Sequence, residues 1–229
     1  MGATQIAFGT EGWRAIIAET FTADNVRLVT QAIADHLRGT ARGSSRRTLT
    51  MAVGYDTRFL SDYFARAVCE VLAGNRIRSV LTDRAIPTCT VSRYVLDRRL
   101  ALGIVVTASH NPAIYNGLKV KEAFGGSAST ETVASIERRL GRSSVRRLAF
   151  DEAAKAGMIR IVGMMPLFLK GIRSFIDLAA IRRAPFRVVV DSMHGAGGRV
   201  IEGLLAGGKC RVETRRSDPD PRFGGEAPE

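Results

Sequence analysis

The stretch Leu102-Gly103-Ile104-Val105-Val106-Thr107-Ala108-Ser109-His110-Asn111-Pro112 decides how this sequence of 229 residues is interpreted. Its first five residues are a short apolar run without charge, which is typical of a strand buried inside a sheet. The run leads directly into a turn that crowds the donors of Thr107, Ser109 and Asn111 together. Turns at the carboxyl ends of strands are where α/β folds commonly build their sites. Clustered side-chain and backbone donors of this kind suit a phosphate group.

The sequence on both sides of this stretch alternates between helical and strand-like patterns, which indicates a layered α/β fold. Apolar residues at helical spacing predict helices, and short apolar runs between them predict strands. The predicted helices cover residues 22–38, 61–73, 88–97, about 133–140, 166–176 and about 200–205. The predicted strands cover residues 49–53, 77–81, 102–106, 118–120, 186–190 and the vicinity of Arg211. Ser61 is expected to cap its helix, and Tyr115-Asn116-Gly117 is expected to form a turn.

A stretch rich in Arg, Ala and Gly, from residue 141 to about 160, predicts a boundary between two units. We predict a first domain over residues 1–150, built as a three-layer α/β/α sandwich with a mixed sheet. Residues 151–229 are predicted to form a second α/β unit of the same kind. This unit has only two predicted strands, and because a two-stranded sheet rarely stands alone, we expect it to be incomplete.

Composition favours a globular cytoplasmic protein. Hydrophobic residues make up 45% of the chain and the mean hydropathy is +0.02, which supports a packed core. No apolar run approaches the ~18 residues that a membrane helix needs, and the first residues do not resemble a secretory signal. Cys69, Cys89 and Cys210 are odd in number and far apart, so we expect neither a disulfide framework nor a zinc site.

The chain is strongly basic, with a net charge of +12 and a pI near 10.6. Such a charge attracts any anionic partner, whether nucleic acid or sugar phosphate. Nucleic-acid binding usually needs basic residues gathered on one face with aromatic residues among them. Aromatic residues are only 7% here, and the arginines are spread along the chain with short clusters at 46–47, 98–99, 138–147 and 182–183. We therefore predict no nucleic-acid partner.

A serine esterase is the competing interpretation of Ser109. Its nucleophile would sit in a Gly-x-Ser-x-Gly elbow, whereas Ala108 and His110 flank this serine. His110 also lies too near in sequence to act as the base for Ser109 without an unusual bend. The esterase hypothesis is therefore weak.

The segment from Thr107 to Pro112 closely resembles the phosphoserine loop of the phosphohexomutase family, which contains the phosphoglucomutases and phosphomannomutases. The resemblance continues in further segments, in the order typical of that family, over nearly the whole chain. These segments are Phe8-Gly9-Thr10-Glu11-Gly12-Trp13-Arg14, Gly54-Tyr55-Asp56-Thr57-Arg58, Tyr115-Asn116-Gly117-Leu118-Lys119, Val190-Asp191-Ser192-Met193-His194-Gly195-Ala196-Gly197 and Asp218-Pro219-Asp220-Pro221-Arg222-Phe223-Gly224-Gly225.

The resemblance implies a mechanism centred on Ser109. This serine would carry a phosphoryl group and pass it to a hexose monophosphate, which gives a hexose 1,6-bisphosphate that returns its other phosphate to Ser109. Lys119 would manage the hydroxyl proton and His110 would orient the reacting groups. Phosphoryl transfer depends on alignment and on charge stabilisation, so cations and donors around the serine suit this chemistry.

Other residues are assigned supporting roles by the same resemblance. Arg14 and Asn111 would bind phosphate, while Arg58 and Thr107 would support the serine loop. For Arg14 a structural salt bridge with Glu11 or Asp56 is the alternative. The glycine-rich turn after His194 is assigned a structural role.

The family also uses Mg²⁺, held by three aspartates of an Asp-Gly-Asp-x-Asp-Arg loop together with the phosphate on the serine, here Ser109. The sequence contains no such loop. The resemblance thus implies that the chain stops before the metal ligands and the later domains, and we expect little mutase activity from these residues alone. A non-catalytic module, or one complemented by a chain that carries the missing domains, is the alternative. Trp13 favours a glucose or mannose phosphate over glucosamine phosphate as the substrate, and a hexose 1,6-bisphosphate would be the activator.

Overall fold

A computed structural model describes residues 6–9, 12–40 and 49–228 of the chain. Within these residues the first sheet has seven strands, in the order β1-β2-β6-β5-β3-β4-β7. The β5–β3, β3–β4 and β4–β7 pairs are parallel. The β1–β2, β2–β6 and β6–β5 pairs are antiparallel. The strands are β1 (Phe8–Gly9), β2 (Gly12–Ile16), β3 (Thr50–Tyr55), β4 (Arg78–Thr82), β5 (Leu102–Val106), β6 (Tyr115–Glu122) and β7 (Ile159–Val162).

Helices cover both faces of this sheet. One face packs against α1 (Ala23–Thr40), α2 (Ser61–Gly74), α4 (Thr130–Glu137) and α5 (Phe150–Lys155), and the other against α3 (Thr88–Arg98) and α6 (Met165–Phe175). Two hydrophobic cores result, one on each side of the sheet, because successive residues of a strand point to opposite faces. In β5, for example, Ile104 and Val106 belong to the first core and Val105 to the second. The predicted α/β sandwich with a mixed sheet is confirmed.

The second sheet consists of two parallel strands, β8 (Arg187–Asp191) and β9 (Arg211–Arg215). Helices α7 (Leu178–Arg183) and α8 (Val200–Leu205) contact each other beside it, and a short 3-10 turn follows at Phe223–Gly225. On both strands exposed residues alternate with half-buried ones. This is the pattern of a small sheet that packs on one face.

Strand β7 lies beyond residue 150, where we predicted that the first domain ends. It pairs with β4 over Ser79–Thr82 and so completes the first sheet. Neither β7 nor α5 was predicted from the sequence, because four residues that include an arginine and a helix of only six residues have patterns too short to be recognised alone. Strand β2 was not predicted either, because Gly12 and Arg14 interrupt its apolar pattern.

Two local predictions were wrong. Ser61 is the first residue of α2 and not its cap, since the preceding Leu60 adopts a left-handed conformation and makes no side-chain cap. The Ser61 hydroxyl instead donates to Asp56 Oδ1 at 2.9 Å and accepts from Asn116 Nδ2 at 2.9 Å. Asn116 and Gly117 belong to β6 rather than to a turn, because β2 and β5 flank β6 and supply backbone partners that local sequence does not reveal.

The described residues contain no helix that combines the length and the apolar character needed to cross a bilayer.

Candidate functional site

Three side chains of the site project from the same face of the sheet. Lys119 lies opposite Val105 on β5, and Gly117, two residues earlier on the same strand, lies opposite Arg14 on β2. The backbone N–H of Thr107 donates to the Gly117 carbonyl at 2.9 Å. Because side chains alternate along a strand, Thr107, Lys119 and Arg14 share the face on which α3 packs. The sheet thus brings two cations beside the end of β5.

Ser109 is presented to solvent immediately after β5. Its side chain is exposed, while the preceding Ala108 is fully buried and anchors the turn. The backbone of Ser109 is left-handed, with φ of 60°, which is uncommon for a residue other than glycine. Its N–H donates to Thr107 Oγ1 at 3.0 Å. Strain of this kind is often kept where it positions a reactive group.

Arg58 holds this turn in place. Its Nη1 donates to the carbonyls of Pro112 and Tyr115 at 2.9 and 3.0 Å, and its Nη2 donates to those of Ser109 and Asn111 at 2.8 and 2.6 Å. Its side chain is completely buried. One guanidinium therefore ties four backbone carbonyls of the segment after β5 into a single geometry.

Asp56 supports Arg58 from the end of β3. Its Oδ2 lies 3.3 Å from Arg58 Nε, and its Oδ1 accepts from the backbone N–H of Arg58 at 3.0 Å. Burial raises the pKa of Asp56. The hydrogen bonds from Thr107 and Ser61 favour the charged carboxylate and oppose this rise. Burial also lowers the pKa of Arg58, which the charge of Asp56 opposes. Each group thus supplies the opposite charge that offsets the loss of hydration of the other.

Arg14 reaches the same turn from β2. Its Nη1 donates to Asn111 Oδ1 at 2.8 Å, so the structure brings together the two residues that the sequence analysis assigned to phosphate binding. Asp56 pairs with Arg58. Glu11, the other alternative partner of Arg14, lies outside the described residues.

Gly12 allows β2 to approach β6 closely enough for this arrangement. Its φ is +140°, and a Cβ on it would lie 2.2 Å from the Leu118 carbonyl oxygen and 3.0 Å from Lys119 Cα. We expect Gly12→Ala to destabilise the protein by about 2–4 kcal/mol, since both strain and backbone displacement result. The measurement is urea unfolding. Gly9→Ala is the matched control on β1, because a Cβ there meets nothing nearer than 3.6 Å; an equal loss in the two variants would contradict the argument.

A cavity of 360 Å³ opens in front of the serine. Thr107, Ser109 and His110 line it from the first sheet, together with residues of the β3 and β4 loops. The remaining wall comes from the turn after β8 and from the C-terminal segment. These further lining residues are Asp56, Thr57, Ile86, Pro87, Thr88, Asp191, Ser192, Met193, Gly195, Ala196, Gly197, Phe223 and Pro228.

Two contacts join the second unit to the loop after β3, and neither was predicted from the sequence. Thr57 Oγ1 donates to the His194 carbonyl at 3.0 Å. The ring of Phe223 stacks on the Arg58 guanidinium, with 4.9 Å between the guanidinium carbon and the ring centroid. The turn after His194 therefore lines the site in addition to its structural role. Distance in sequence hid these contacts, since no local pattern links residue 58 to residue 223.

The described residues do not fit a magnesium site by themselves. No group of three His, Cys, Asp or Glu side chains among them lies close enough to hold a metal ion. Asp220 is engaged otherwise, since its carboxylate accepts from the backbone N–H groups of Arg222 and Gly224. A phosphate on Ser109 would supply one oxygen ligand, and Mg²⁺ needs near-octahedral oxygen coordination. We therefore assign no step to the ion.

Fold and site together define an α/β protein that presents an exposed serine in a strained turn, among cations suited to a phosphate. Family comparisons agree with this class. The model of phosphoglucomutase/phosphomannomutase α/β/α domain I matches residues 5–146, and that of domain II matches residues 166–229. The chain belongs to the phosphoglucomutase/phosphomannomutase family.

Individual relatives extend the comparison. A phosphoglucomutase of Komagataeibacter xylinus is 29% identical over 96% of this chain and 42% of its own length. A phosphoglucosamine mutase of Clavibacter sepedonicus is 30% identical over 93% of this chain and 46% of its own length. A solved structure assigned as a phosphomannomutase of Thermus thermophilus superposes with a TM-score of 0.87 at 35% identity, covering 100% of this chain and 49% of the other. The chain thus spans about half the length of these relatives.

Proposed function

We propose that Ser109 accepts and returns a phosphoryl group in the interconversion of hexose 1-phosphates and hexose 6-phosphates. The observation that carries this proposal is the turn after β5, in which an exposed serine at φ of 60° is fixed by the four carbonyl bonds of Arg58. Such a scaffold fixes the backbone from which the hydroxyl projects. A fixed position of the nucleophile favours in-line phosphoryl transfer.

The positions of the surrounding residues support proposed roles for them. Arg14 and Asn111, joined by their 2.8 Å hydrogen bond, are proposed to bind the phosphate oxygens. Lys119 is proposed to hold the hydroxyl proton of Ser109, because its ammonium group is a compact donor and the residue is buried on the strand beside β5. His110 lines the cavity with Ser109 and is proposed to orient the incoming hydroxyl of the sugar.

The proposed substrate class comprises glucose, mannose and glucosamine phosphates. Relatives at about 30% identity include both a phosphoglucomutase and a phosphoglucosamine mutase. Trp13 does not read the substrate, because its side chain is 1% exposed and packs against Phe21 in the core. The identity of residue 13 can therefore indicate only which members of the family the chain is related to, and it makes no contact that selects the sugar.

Phosphate uptake tests the proposal. After incubation of the 229-residue chain with glucose 1,6-bisphosphate and Mg²⁺, we expect the intact mass to increase by one phosphate and peptide mapping to place that phosphate on Ser109. A single transfer needs no rapid turnover. Enzymes commonly turn over at about 1–10³ per second, so a large loss of rate still permits stoichiometric labelling within hours. No added phosphate, or one on another residue, would refute the role of Ser109 and favour a non-catalytic module.

Turnover is expected to differ from uptake. The described residues lack a cluster that could hold Mg²⁺, and the metal is a main counterion for the charge of a transferring phosphoryl group. We therefore expect the chain alone to convert glucose 1-phosphate into glucose 6-phosphate at less than about one-thousandth of the rate of a full-length relative. A coupled assay of glucose 6-phosphate measures this, and a rate near that of the relative would contradict the expectation.

A further inference from the structure

A second cluster of cations lies at the opposite end of the first sheet from Ser109. Arg38, near the end of α1, shares a groove with Leu49, Arg78 and Met158, which lie at the starts of the parallel strands β3, β4 and β7. Ser109 follows the other end of β5 instead. Five residues of strand separate the two ends by roughly 17 Å. A ligand bound near Arg38 would therefore not touch the serine loop.

The cluster surrounds a cavity of 620 Å³, which we call the arginine pocket. Its lining residues are Asp35, Arg38, Gly39, Arg139, Arg142, Ser143 and Arg146. Four arginines and a single acidic residue, Asp35, thus line it. Within the part of the chain that the structure describes, Arg38, Arg142 and Arg146 form no ion pair. Because four arginines outnumber the single Asp35, the positive charges of the cluster repel each other, and a bound anion would reduce that repulsion.

The backbone around the arginine pocket is held from inside the protein. Gln31 and Asn75 are both buried and exchange two amide hydrogen bonds, of 3.0 and 2.7 Å. Gln31 Oε1 also accepts a hydrogen bond from the backbone N–H of Arg146 at 3.0 Å. The loop that carries Arg146 is therefore anchored to a buried polar pair. Its side chain is left exposed.

Arg139 is fixed in a similar way. Its Nη1 donates to the Ser135 carbonyl at 2.7 Å and to Ser135 Oγ at 2.6 Å. This guanidinium is half-buried and lies against Gly39, where a Cβ would come within 3.3 Å of Nη2. One cation of the pocket is thus oriented before any ligand arrives, which reduces the entropy lost on binding.

We propose that the arginine pocket binds a small anion with two or more adjacent phosphoryl groups. Guanidinium groups match phosphate oxygens with paired N–H donors, and a single phosphate would engage only part of a cavity lined by four of them. The volume lies within the range of small-ligand sites. None of the described lining residues is aromatic, so a nucleic acid would find no surface for base stacking.

Titration calorimetry with tripolyphosphate tests this site. The titrations use the 229-residue chain carrying Arg14→Ala, in order to weaken binding at the serine loop. We expect one site, and at least a tenfold loss of affinity when Arg142→Ala and Arg146→Ala are added. The matched control is Arg187→Ala with Arg211→Ala, an exposed cross-strand pair on the second sheet with the same change of charge. This pair should change the affinity less than twofold.

Parallel titrations identify the ligand chemistry. Glucose 1,6-bisphosphate and ATP present phosphoryl groups at different spacings, and orthophosphate presents one. We expect orthophosphate to bind at least tenfold more weakly than tripolyphosphate. Equal losses in the two double variants would show a general charge effect and overturn the proposal. Orthophosphate binding as tightly as tripolyphosphate would also overturn the proposal. The same holds if a single-stranded oligonucleotide binds more tightly than tripolyphosphate and its binding depends on Arg142 and Arg146.

Discussion

Ser109→Ala is expected to abolish phosphate uptake from glucose 1,6-bisphosphate, because the hydroxyl oxygen that forms the new ester bond is removed. The fold should be unaffected. The side chain is exposed, and alanine bears the left-handed backbone about as well as serine, so the free energy of unfolding should change by less than about 1 kcal/mol. Intact-mass measurement after incubation, together with urea unfolding, provides both readouts.

A second serine provides the control for this variant. Ser192 lines the same cavity, but its hydroxyl donates to the Gly198 carbonyl at 2.5 Å within its own turn. Ser192→Ala should therefore take up phosphate as the unmodified chain does. Labelling that persists in Ser109→Ala, or disappears only in Ser192→Ala, would place the acceptor elsewhere in the cavity.

Arg58→Met should have the second largest effect, on stability and on uptake together. The change leaves four backbone carbonyls without their donor and Asp56 without its buried counter-charge. Loss of one partner from a buried ion pair costs about 3–5 kcal/mol. Because the turn after β5 is no longer fixed, we also expect the rate of uptake to fall at least about a hundredfold. Urea unfolding and the time course of the mass increase measure the two effects.

The pH dependence of this variant distinguishes the lost counter-charge from a general loss of packing. Burial already raises the pKa of Asp56 in the folded protein, and removal of Arg58 raises it further. A folded state with a raised carboxyl pKa binds more protons than the unfolded state, so its stability falls as the pH rises from the unfolded pKa through the folded pKa. Arg58→Met should therefore lose more stability, relative to the unmodified chain, at pH 8 than at pH 5.

Two further variants serve as controls. Arg58→Met with Asp56→Asn removes the unpaired charge and should recover part of the lost stability at pH 8. Arg58→Lys keeps the charge but lacks the planar fork that reaches four carbonyls, so its uptake should remain impaired while its stability is intermediate. If the Met variant lost equal stability at both pH values, Asp56 would not be the group responsible.

The sequence by itself determined the class of fold and the family, and it singled out Ser109 as the candidate for phosphate chemistry. A run such as residues 102–106 identifies a buried strand because burial on both faces demands continuous apolar residues, and the donors after it mark the site. The segments shared with the family added the expected partners of Ser109 in chain order. These features are local, so they can be recognised one segment at a time.

Only the tertiary structure decided how those segments meet. Arg58 and Phe223 stack although 164 intervening residues separate them in the chain, and Arg14 reaches Asn111 because β2 pairs with β6. Ser61 and Asn116, expected in a cap and a turn, bond to each other across elements. Long-range packing chose these partners, since the geometry of a buried polar group depends on whatever neighbours the fold brings to it and not on the adjacent sequence.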